Sequence, residues 1–319
     1  MNHIALVLSA GGHAGDPWHA GVLAALHDET GWDPRTADLV VGTSAGSISG
    51  LALRAGMSAH DRYALHRGAT LSPRGQALVD RIITPWNDDA TDREWRPQAP
   101  AMSARAAWPP WRLRPVHAAV GLLPPGNRRT DTLETRMSEL HPQRWPERPF
   151  WATAVRLDDG RRVVFGRDDV RATVAQAVRA SCGVPGVYEP TTIGSRRYVD
   201  GGVHSSTNAD LVAALAFDLV IVSSVMTAAP PVSGWSKDRL TRRWFGRLLA
   251  NEVAQIRRRG TPVLVVQPTA DVLERLEREP GPHDRADIAG AAHEATRRRL
   301  TARDGRGLAS LLATARPPA

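Results

Sequence analysis

The most informative segment of this 319-residue sequence is Asp38-Leu39-Val40-Val41-Gly42-Thr43-Ser44-Ala45-Gly46, where an apolar run ends in a turn of small residues. The pattern Gly42-x-Ser44-x-Gly46 is typical of a sharp strand-to-helix turn that exposes a serine oxygen to a substrate carbonyl. A side chain at Gly42 or Gly46 would clash with the strand and the helix packed beside so tight a turn. A helix is predicted to follow through Arg54. Ser44 would then lie at its N-terminus, where free N–H groups favour negative charge.

A second glycine-rich turn precedes this segment. Ile4–Leu8 is apolar throughout, as expected for a parallel strand that is covered on both faces. Ser9-Ala10-Gly11-Gly12-His13-Ala14-Gly15 separates this strand from a helical pattern at Trp18–His27. The two strand–helix units predict an α/β fold with a mainly parallel central sheet, in which both turns face the same end of the sheet.

The first loop, Gly11-Gly12-His13-Ala14-Gly15, allows two interpretations. Consecutive glycines let backbone N–H groups converge, so the loop suits either a phosphate or the oxyanion of an acyl transfer. No Gly-Lys-Ser/Thr ending supports a P-loop, and Ala10 stands where G-x-G-x-x-G needs its first glycine. The oxyanion interpretation is favoured, because the serine turn follows the next strand of the same parallel sheet and faces the same end.

Further elements are predicted along the rest of the chain. A hairpin at Asp158-Asp159-Gly160 should join two strands. The predicted strands are 151–155, 162–165, 197–199, 219–222 and 262–266, and the predicted helices are 170–179 and 210–216. We expect a single domain over 1–319 that ends in an Arg-rich helical segment at about 270–319.

Residues 95–130 interrupt this pattern. They include seven prolines and six arginines but no acidic residue. Because each proline removes a backbone donor and blocks helix continuation, we predict no regular core element here and assign about 85–130 to a surface insertion or lid. Trp95, Trp108 and Trp111 suit contact with an anionic membrane, although the same side chains could instead fold back on the body.

A third motif is Tyr198-Val199-Asp200-Gly201-Gly202, an acid on a tight turn, which alone is an ordinary Asp-Gly turn. Together with the glycine-rich loop and G-x-S-x-G, in this order, it resembles the patatin-like phospholipases, serine acyl hydrolases with a three-layer α/β fold and a Ser/Asp dyad. The resemblance covers most of the chain. It includes Arg179–Tyr188, which is similar to the family's Ala-Ser-x-x-x-Pro-Gly-x-Phe block, and Asn208, where the family usually has an asparagine.

The sequence departs from the family pattern in the first loop. Ala10 replaces the first of three glycines, and Ala14 stands where an arginine or lysine is common. One additional residue lies between Gly15 and Gly21. His13 either supplies part of the missing positive charge or is an exposed loop histidine.

The resemblance implies a role for each motif residue. Ser44 would be the nucleophile and Asp200 its proton acceptor, with fatty acid released from an acyl-enzyme. The implied oxyanion-hole donors are the N–H groups of Gly11, Gly12 and Ala45, and the remaining motif residues are Gly15, Gly42, Gly46, Gly201 and Gly202. No metal or cofactor is expected. Because an ordinary Asp has a pKa of about 4, burial must raise the pKa of Asp200 for it to act as a base at neutral pH.

Two alternatives remain open at this point. A conventional Ser-His-Asp hydrolase would need a late histidine, for which His204, His283 and His293 are the candidates. The altered Ala10 and Ala14 instead motivate a non-catalytic lipid- or protein-binding member of the same fold.

The composition restricts partners and location. A net charge of +8 would suit nucleic acid, but Lys237 is the only lysine among 41 basic residues, which indicates a compositional bias, and no nucleic-acid motif is present. Residues 95–130 are where the sequence directs a search for a charge-based partner. The lone Cys182 excludes a disulfide framework, and no signal peptide or membrane span is evident. We expect a cytoplasmic protein that acts on a lipid or acyl ester, with peripheral contact at the inner membrane face allowed and oligomeric state undetermined.

Overall fold

The computed structural model describes residues 2–87, 89–90, 96–108, 114–230, 236–276 and 284–315. The strands of this part are β1 (Ile4–Leu8), β2 (Leu39–Thr43), β3 (Phe150–Arg156), β4 (Arg162–Phe165), β5 (Thr191–Ile193), β6 (Arg196–Asp200), β7 (Leu219–Ser223) and β8 (Val263–Val266). The helices before β3 are α1 (Gly12–Thr30), α2 (Ala45–Arg54), α3 (Ala59–Arg67), α4 (Pro73–Asp80), α5 (Pro100–Ala107), α6 (Pro115–Leu122) and α7 (Asp131–Leu140). Those after β3 are α8 (Val174–Ser181), α9 (Lys237–Arg258), α10 (Ala270–Leu276), α11 (Asp284–Thr301) and α12 (Arg303–Thr314).

The strands form one mixed sheet in the order β5-β6-β3-β2-β1-β7-β8, with β4 paired to β3. The pairings β1–β2, β1–β7, β2–β3 and β7–β8 are parallel, and the pairings of β3 with β4, β3 with β6 and β5 with β6 are antiparallel. The predicted α/β fold with a mainly parallel central sheet is therefore confirmed. Leu8 pairs with Gly42, so the turns after β1 and β2 leave the sheet side by side at the same edge.

Helices cover both faces of the sheet, which makes three layers. Alternate residues of β1 point to opposite faces. Ile4, Leu6 and Leu8 join a core that includes residues of α1, α2 and α11. Ala5 and Val7 join a second core with residues of α9. Burial on both faces explains why β1 is apolar at every position.

The proline-rich stretch contains two helices, so the expectation that it holds no regular core element is wrong there. α5 begins at Pro100 and α6 at Pro115, and a proline in the first turn removes no helical hydrogen bond. Met102 and Val120 are buried in a small cluster with Val155 of β3. Trp95 and Trp111 lie outside the described residues, whereas the Trp108 side chain is 73% exposed.

Two predicted helices have different bounds. The helix expected at 170–179 begins at Val174, because the Thr173 side chain caps it and Gln176 completes a capping box. The helix expected at 210–216 is only a 3-10 turn at Ala209–Val212. The hairpin between β3 and β4 is present, with Gly160 at a φ of 68°.

Three helices make up the described part of the C-terminal segment, and α11 packs closely on α1. Throughout the described ranges, every helix is too short or too polar to cross a membrane.

The contact between α1 and α11 is tightest at Gly21, where a Cβ would lie 2.1 Å from the Ala289 carbonyl oxygen and 2.9 Å from the Ala292 Cβ. We expect Gly21→Ala to lower the free energy of unfolding by about 1–3 kcal/mol, since the helices must move apart. Gly307→Ala is the matched control, because a Cβ there meets nothing within 4 Å. It should be neutral or stabilising by up to ~1 kcal/mol. Urea unfolding of both variants tests this, and equal destabilisation would contradict it.

Candidate active site

Ser44 occupies a strained turn between β2 and α2. Its φ of 53° and ψ of −123° are unusual for a residue with a side chain, and the side chain is buried. The Ser44 N–H donates to Ser181 Oγ at 2.8 Å. Its carbonyl accepts from the N–H of Ser47 at 2.7 Å and from Ser47 Oγ at 2.6 Å. These bonds hold the serine in a conformation that it would not adopt alone.

The flanking glycines allow the turn to pack against its neighbours. A Cβ on Gly46 would lie 2.1 Å from the Leu8 carbonyl oxygen, so α2 begins directly against the end of β1. A Cβ on Gly42 would lie 2.5 Å from the Ser47 Cα. Both positions therefore exclude a side chain on steric grounds.

Unpaired backbone donors lie on the two turns at this edge of the sheet. α1 begins at Gly12, whose φ is 53°, and α2 begins at Ala45. Among the described residues, nothing accepts a hydrogen bond from the N–H groups of Gly11, Gly12 or Ala45. A Cβ on Gly15 would lie 2.5 Å from the Ala45 Cβ, so the N-termini of α1 and α2 touch. Unpaired N–H groups from two helix N-termini are suited to stabilising negative charge.

The departures from the family pattern in the first loop have structural roles. The Ala10 N–H donates to the Ser206 carbonyl at 2.7 Å, so it is not a free donor. Ala14 packs against the core that contains Ile4, Leu6 and Leu8. His13 Nε2 lies 3.6 Å from Asp284 Oδ2 on an exposed surface, so this histidine faces the first residue of α11.

Strand register explains why the third motif comes close to Ser44. Thr43 pairs with Thr153, and β3 continues three residues beyond this point to Arg156. β6 pairs antiparallel with this extension, and Asp200 is opposite Ala154. β6 therefore runs back along the extension of β3. Its last residue, Asp200, lies one residue beyond the position that pairs with Thr43.

Asp200 is a buried carboxyl group with a raised pKa. Its Oδ1 accepts a hydrogen bond from the Gly202 N–H at 2.7 Å. Burial raises its pKa to about 6, while hydrogen bonds from the Ser44 hydroxyl and the Gly202 N–H oppose this shift. Gly201 lies over β3, where a Cβ would be 2.3 Å from Thr153 Oγ1. The arrangement brings a serine hydroxyl and a carboxylate of increased basicity together.

Asn208 connects the serine turn, through Thr43, to the turn after Asp200, through the Gly201 carbonyl, and its side chain is fully buried. Its Nδ2 donates to Thr43 Oγ1 at 3.1 Å and to the Ser205 carbonyl at 2.7 Å. The hydroxyls of Thr43 and Thr153 lie 2.8 Å apart across β2 and β3. Asn208 Oδ1 accepts from Arg162 at 3.1 Å. The resemblance pointed to Asn208, but nothing in the sequence indicated these two threonines.

The segment with the additional residue contains a buried polar cluster that sequence reasoning missed. Asp16 Oδ1 accepts from Ser49 Oγ at 2.6 Å and forms an ion pair with Arg62, and Asp16 Oδ2 lies 3.0 Å from His66 Nε2. The positive charge of Arg62, together with the adjacent His66 and Ser49 side chains, holds the pKa of Asp16 well below its usual range, against the effect of burial. This cluster fastens α1 to α2 and α3.

His19, in the same segment, is also buried. Its Nδ1 lies 2.8 Å from Ser223 Oγ, and its Nε2 donates to the Ser9 carbonyl at 2.8 Å. Burial lowers its pKa to about 4, so the ring is neutral at physiological pH. His19 therefore links α1 to the ends of β1 and β7.

The described histidines that were candidates for a triad contact residues other than Ser44 and Asp200. His293 Nε2 lies 2.7 Å from Asp28 Oδ2, and the ring of His204 packs edge-on against that of His117. His283 lies outside the described residues. No histidine in the described ranges forms a hydrogen bond with Ser44 or Asp200. In the same ranges, no group of three or more His, Cys, Asp or Glu side chains could hold a metal ion.

Known proteins similar to this chain include a solved structure and a protein family. Among solved structures, VipD from Legionella pneumophila is similar at 12% sequence identity and a TM-score of 0.43. The match covers 94% of this chain and 66% of that one, so this chain spans just under two thirds of the length of VipD. A search of curated proteins found no match. The family model described as patatin-like phospholipase matches residues 6–213, which include all three motifs. The chain therefore belongs to the patatin-like phospholipase family.

Proposed function

We propose that this protein is a serine acyl hydrolase that releases ester-linked fatty acids from phospholipids or related lipids through Ser44 and Asp200. Its family supports lipid acyl hydrolase activity in general. The observation that carries the proposal is the pairing of Ser44, on its strained turn, with a buried carboxyl group whose pKa is raised to about 6.

In the first step, Ser44 Oγ attacks the ester carbonyl carbon while Asp200 accepts the hydroxyl proton. The new C–O bond leaves negative charge on the former carbonyl oxygen, which hydrogen bonds from the free N–H groups of Gly11, Gly12 and Ala45 would stabilise. Collapse of this intermediate breaks the ester bond. The leaving alcohol takes the proton from Asp200, and the acyl group remains on Ser44.

In the second step, water replaces the alcohol. Asp200 accepts a proton from the water molecule as its oxygen attacks the acyl carbon, and the same N–H groups receive the charge. Collapse releases the fatty acid and returns the proton to Ser44. A carboxylate with a pKa near 6 is mostly ionised at neutral pH and yet more basic than an ordinary aspartate.

We also propose that α5 and α6 form a lid that contacts the lipid surface. They pack on Val199 and Val203, which flank Asp200 and the glycines that follow it. Trp108 and Leu122, at the C-terminal ends of the two helices, are 73% and 55% exposed. In the expected cytoplasmic location, with which the lone cysteine is compatible, the contacted surface would be the inner membrane face.

We expect Ser44→Ala and Asp200→Asn each to reduce ester hydrolysis by on the order of 10³-fold or more, because each removes one of two groups that act together. Ser138→Ala and Asp80→Asn, both exposed, are matched controls and should retain activity, as should His204→Ala. A fluorophosphonate should label the wild type but not Ser44→Ala. A folded wild-type protein that is neither labelled nor active would instead support the non-catalytic binding alternative.

The pH dependence of kcat/KM should report the ionisation of the Asp200 carboxyl group. As pH falls through about 6, the carboxylate binds a proton and cannot accept the one from Ser44, so kcat/KM should fall about tenfold per pH unit below that point. An unshifted aspartate would place this limb near pH 4. A soluble p-nitrophenyl ester, with circular dichroism at each pH, measures the limb. A rate that is constant from pH 7 to pH 5 would contradict the assignment.

Membrane contact predicts a loss of vesicle binding when the lid is made less apolar. Trp108→Ala/Leu122→Ala should reduce co-sedimentation with vesicles that contain anionic lipid by about fivefold or more, since exposed apolar area drives interfacial binding. Leu65→Ala/Leu215→Ala changes exposed leucines on other elements and should leave binding unchanged. Equal binding of both double variants would argue against the lid as the contact.

A further inference from the structure

A cavity of about 990 Å³ lies apart from the Ser44 site, beside the end of β8. The lining includes Ala228, Ala229 and residues of the segment 265–271. It also includes residues of α9 and α11, and Ala302 directly after α11. None of these residues belongs to the first loop, the serine turn or the D-G-G turn. β8 is an edge strand, separated from β1 by β7.

The cavity is strongly basic. Asp271 is its only acidic residue, and its Oδ2 lies 3.1 Å from an Arg298 nitrogen. Arg243 and Arg247 are one turn apart on α9, and neither forms a hydrogen bond or an ion pair with any residue in the described ranges. Like charges at this spacing destabilise a helix, so an anion between them would be favourable. The arginines that line the cavity are Arg242, Arg243, Arg247, Arg257, Arg298 and Arg299.

The walls between the arginines are aliphatic. Ala229, Ala250 and Val265 are accessible there, whereas Leu249 and Val253 are almost completely buried. The Pro262 carbonyl accepts a hydrogen bond from Val220 of β7, and the Val266 carbonyl accepts one from Ser224, the residue after β7. Because the direction of backbone groups alternates along a strand, the N–H and C=O of Val265 point to the open edge of the sheet. The site thus combines apolar walls, free backbone groups and cationic side chains.

We propose that this cavity binds a single-chain anionic amphiphile, with the acyl chain along the aliphatic walls and the anionic head between Arg243 and Arg247. An inorganic anion would leave the aliphatic walls exposed to water, and a neutral lipid would leave the guanidinium groups without a counter-charge. A carboxylate and a phosphate head share this chemistry. The site goes beyond the proposed hydrolysis, because its residues are separate from Ser44 and Asp200.

The test is isothermal titration of the full chain with laurate, dodecyl phosphate, inorganic phosphate and neutral dodecyl maltoside. Laurate or dodecyl phosphate should bind, and the stronger of the two identifies the head group. Inorganic phosphate and the maltoside should bind at least about tenfold more weakly. Equal binding of inorganic phosphate, equal binding of the neutral amphiphile, or no binding of either anionic amphiphile would overturn the proposal.

Variants locate the site. Arg243→Gln/Arg247→Gln should weaken binding of the anionic amphiphile by tenfold or more, whereas the equal charge change Arg258→Gln/Arg259→Gln, outside the cavity, should not. Ala250→Trp, which fills part of the cavity, should also weaken binding in a protein with an unchanged circular dichroism spectrum. Wild-type affinity in both cavity variants would overturn the assignment.

Binding at this cavity is distinguishable from catalysis at Ser44. Ser44→Ala should bind the amphiphile with wild-type affinity, whether or not the wild type hydrolyses esters. The bound amphiphile should also raise the Tm of Ser44→Ala, because a ligand that binds only the folded state stabilises it. Loss of binding in Ser44→Ala would place the amphiphile in the catalytic site and contradict a separate cavity.

Discussion

The whole site depends on one close approach, between the turns that follow β1 and β2. These strands are parallel neighbours, so the helices that follow them begin at the same edge of the sheet. Gly46 lets α2 begin against the end of β1, and Gly15 lets the first turn of α1 touch Ala45. A Cβ at either glycine would separate the free N–H groups of the first loop from Ser44. The sheet thus determines which turns meet, and the glycines determine how closely.

The sequence predicts the local units of this architecture well. A strand that is apolar throughout, a glycine turn and a helix follow one another twice within residues 4–54, and β1 and α2 end where the pattern places them. The starts of α5 and α6 are missed, because a proline that breaks a helix interior is favoured at its first turn. Composition alone does not distinguish these two positions.

The sequence does not predict contacts between distant parts of the chain. Asn208 bonds to Thr43 across 165 positions, and Arg62 reaches Asp16 across 46, and no local pattern records either pairing. The position of Asp200 depends on the extension of β3 beyond β2, which is a property of sheet register. The sequence also does not predict where most of the arginine side chains lie in the fold. Arg54 bonds to backbone carbonyls of Ala37 and Pro149, while several other arginines gather around the cavity beside β8.

The backbone of Ser44 has an evolutionary consequence. Its φ of 53° would suit glycine better than serine, so the residue that would relax this turn is one that has no hydroxyl group. Under the proposed function, selection for stability and selection for a reactive oxygen therefore act in opposite directions at this one position. Descendants that lose the need for catalysis should lose the serine early, while keeping the surrounding sheet and its glycines.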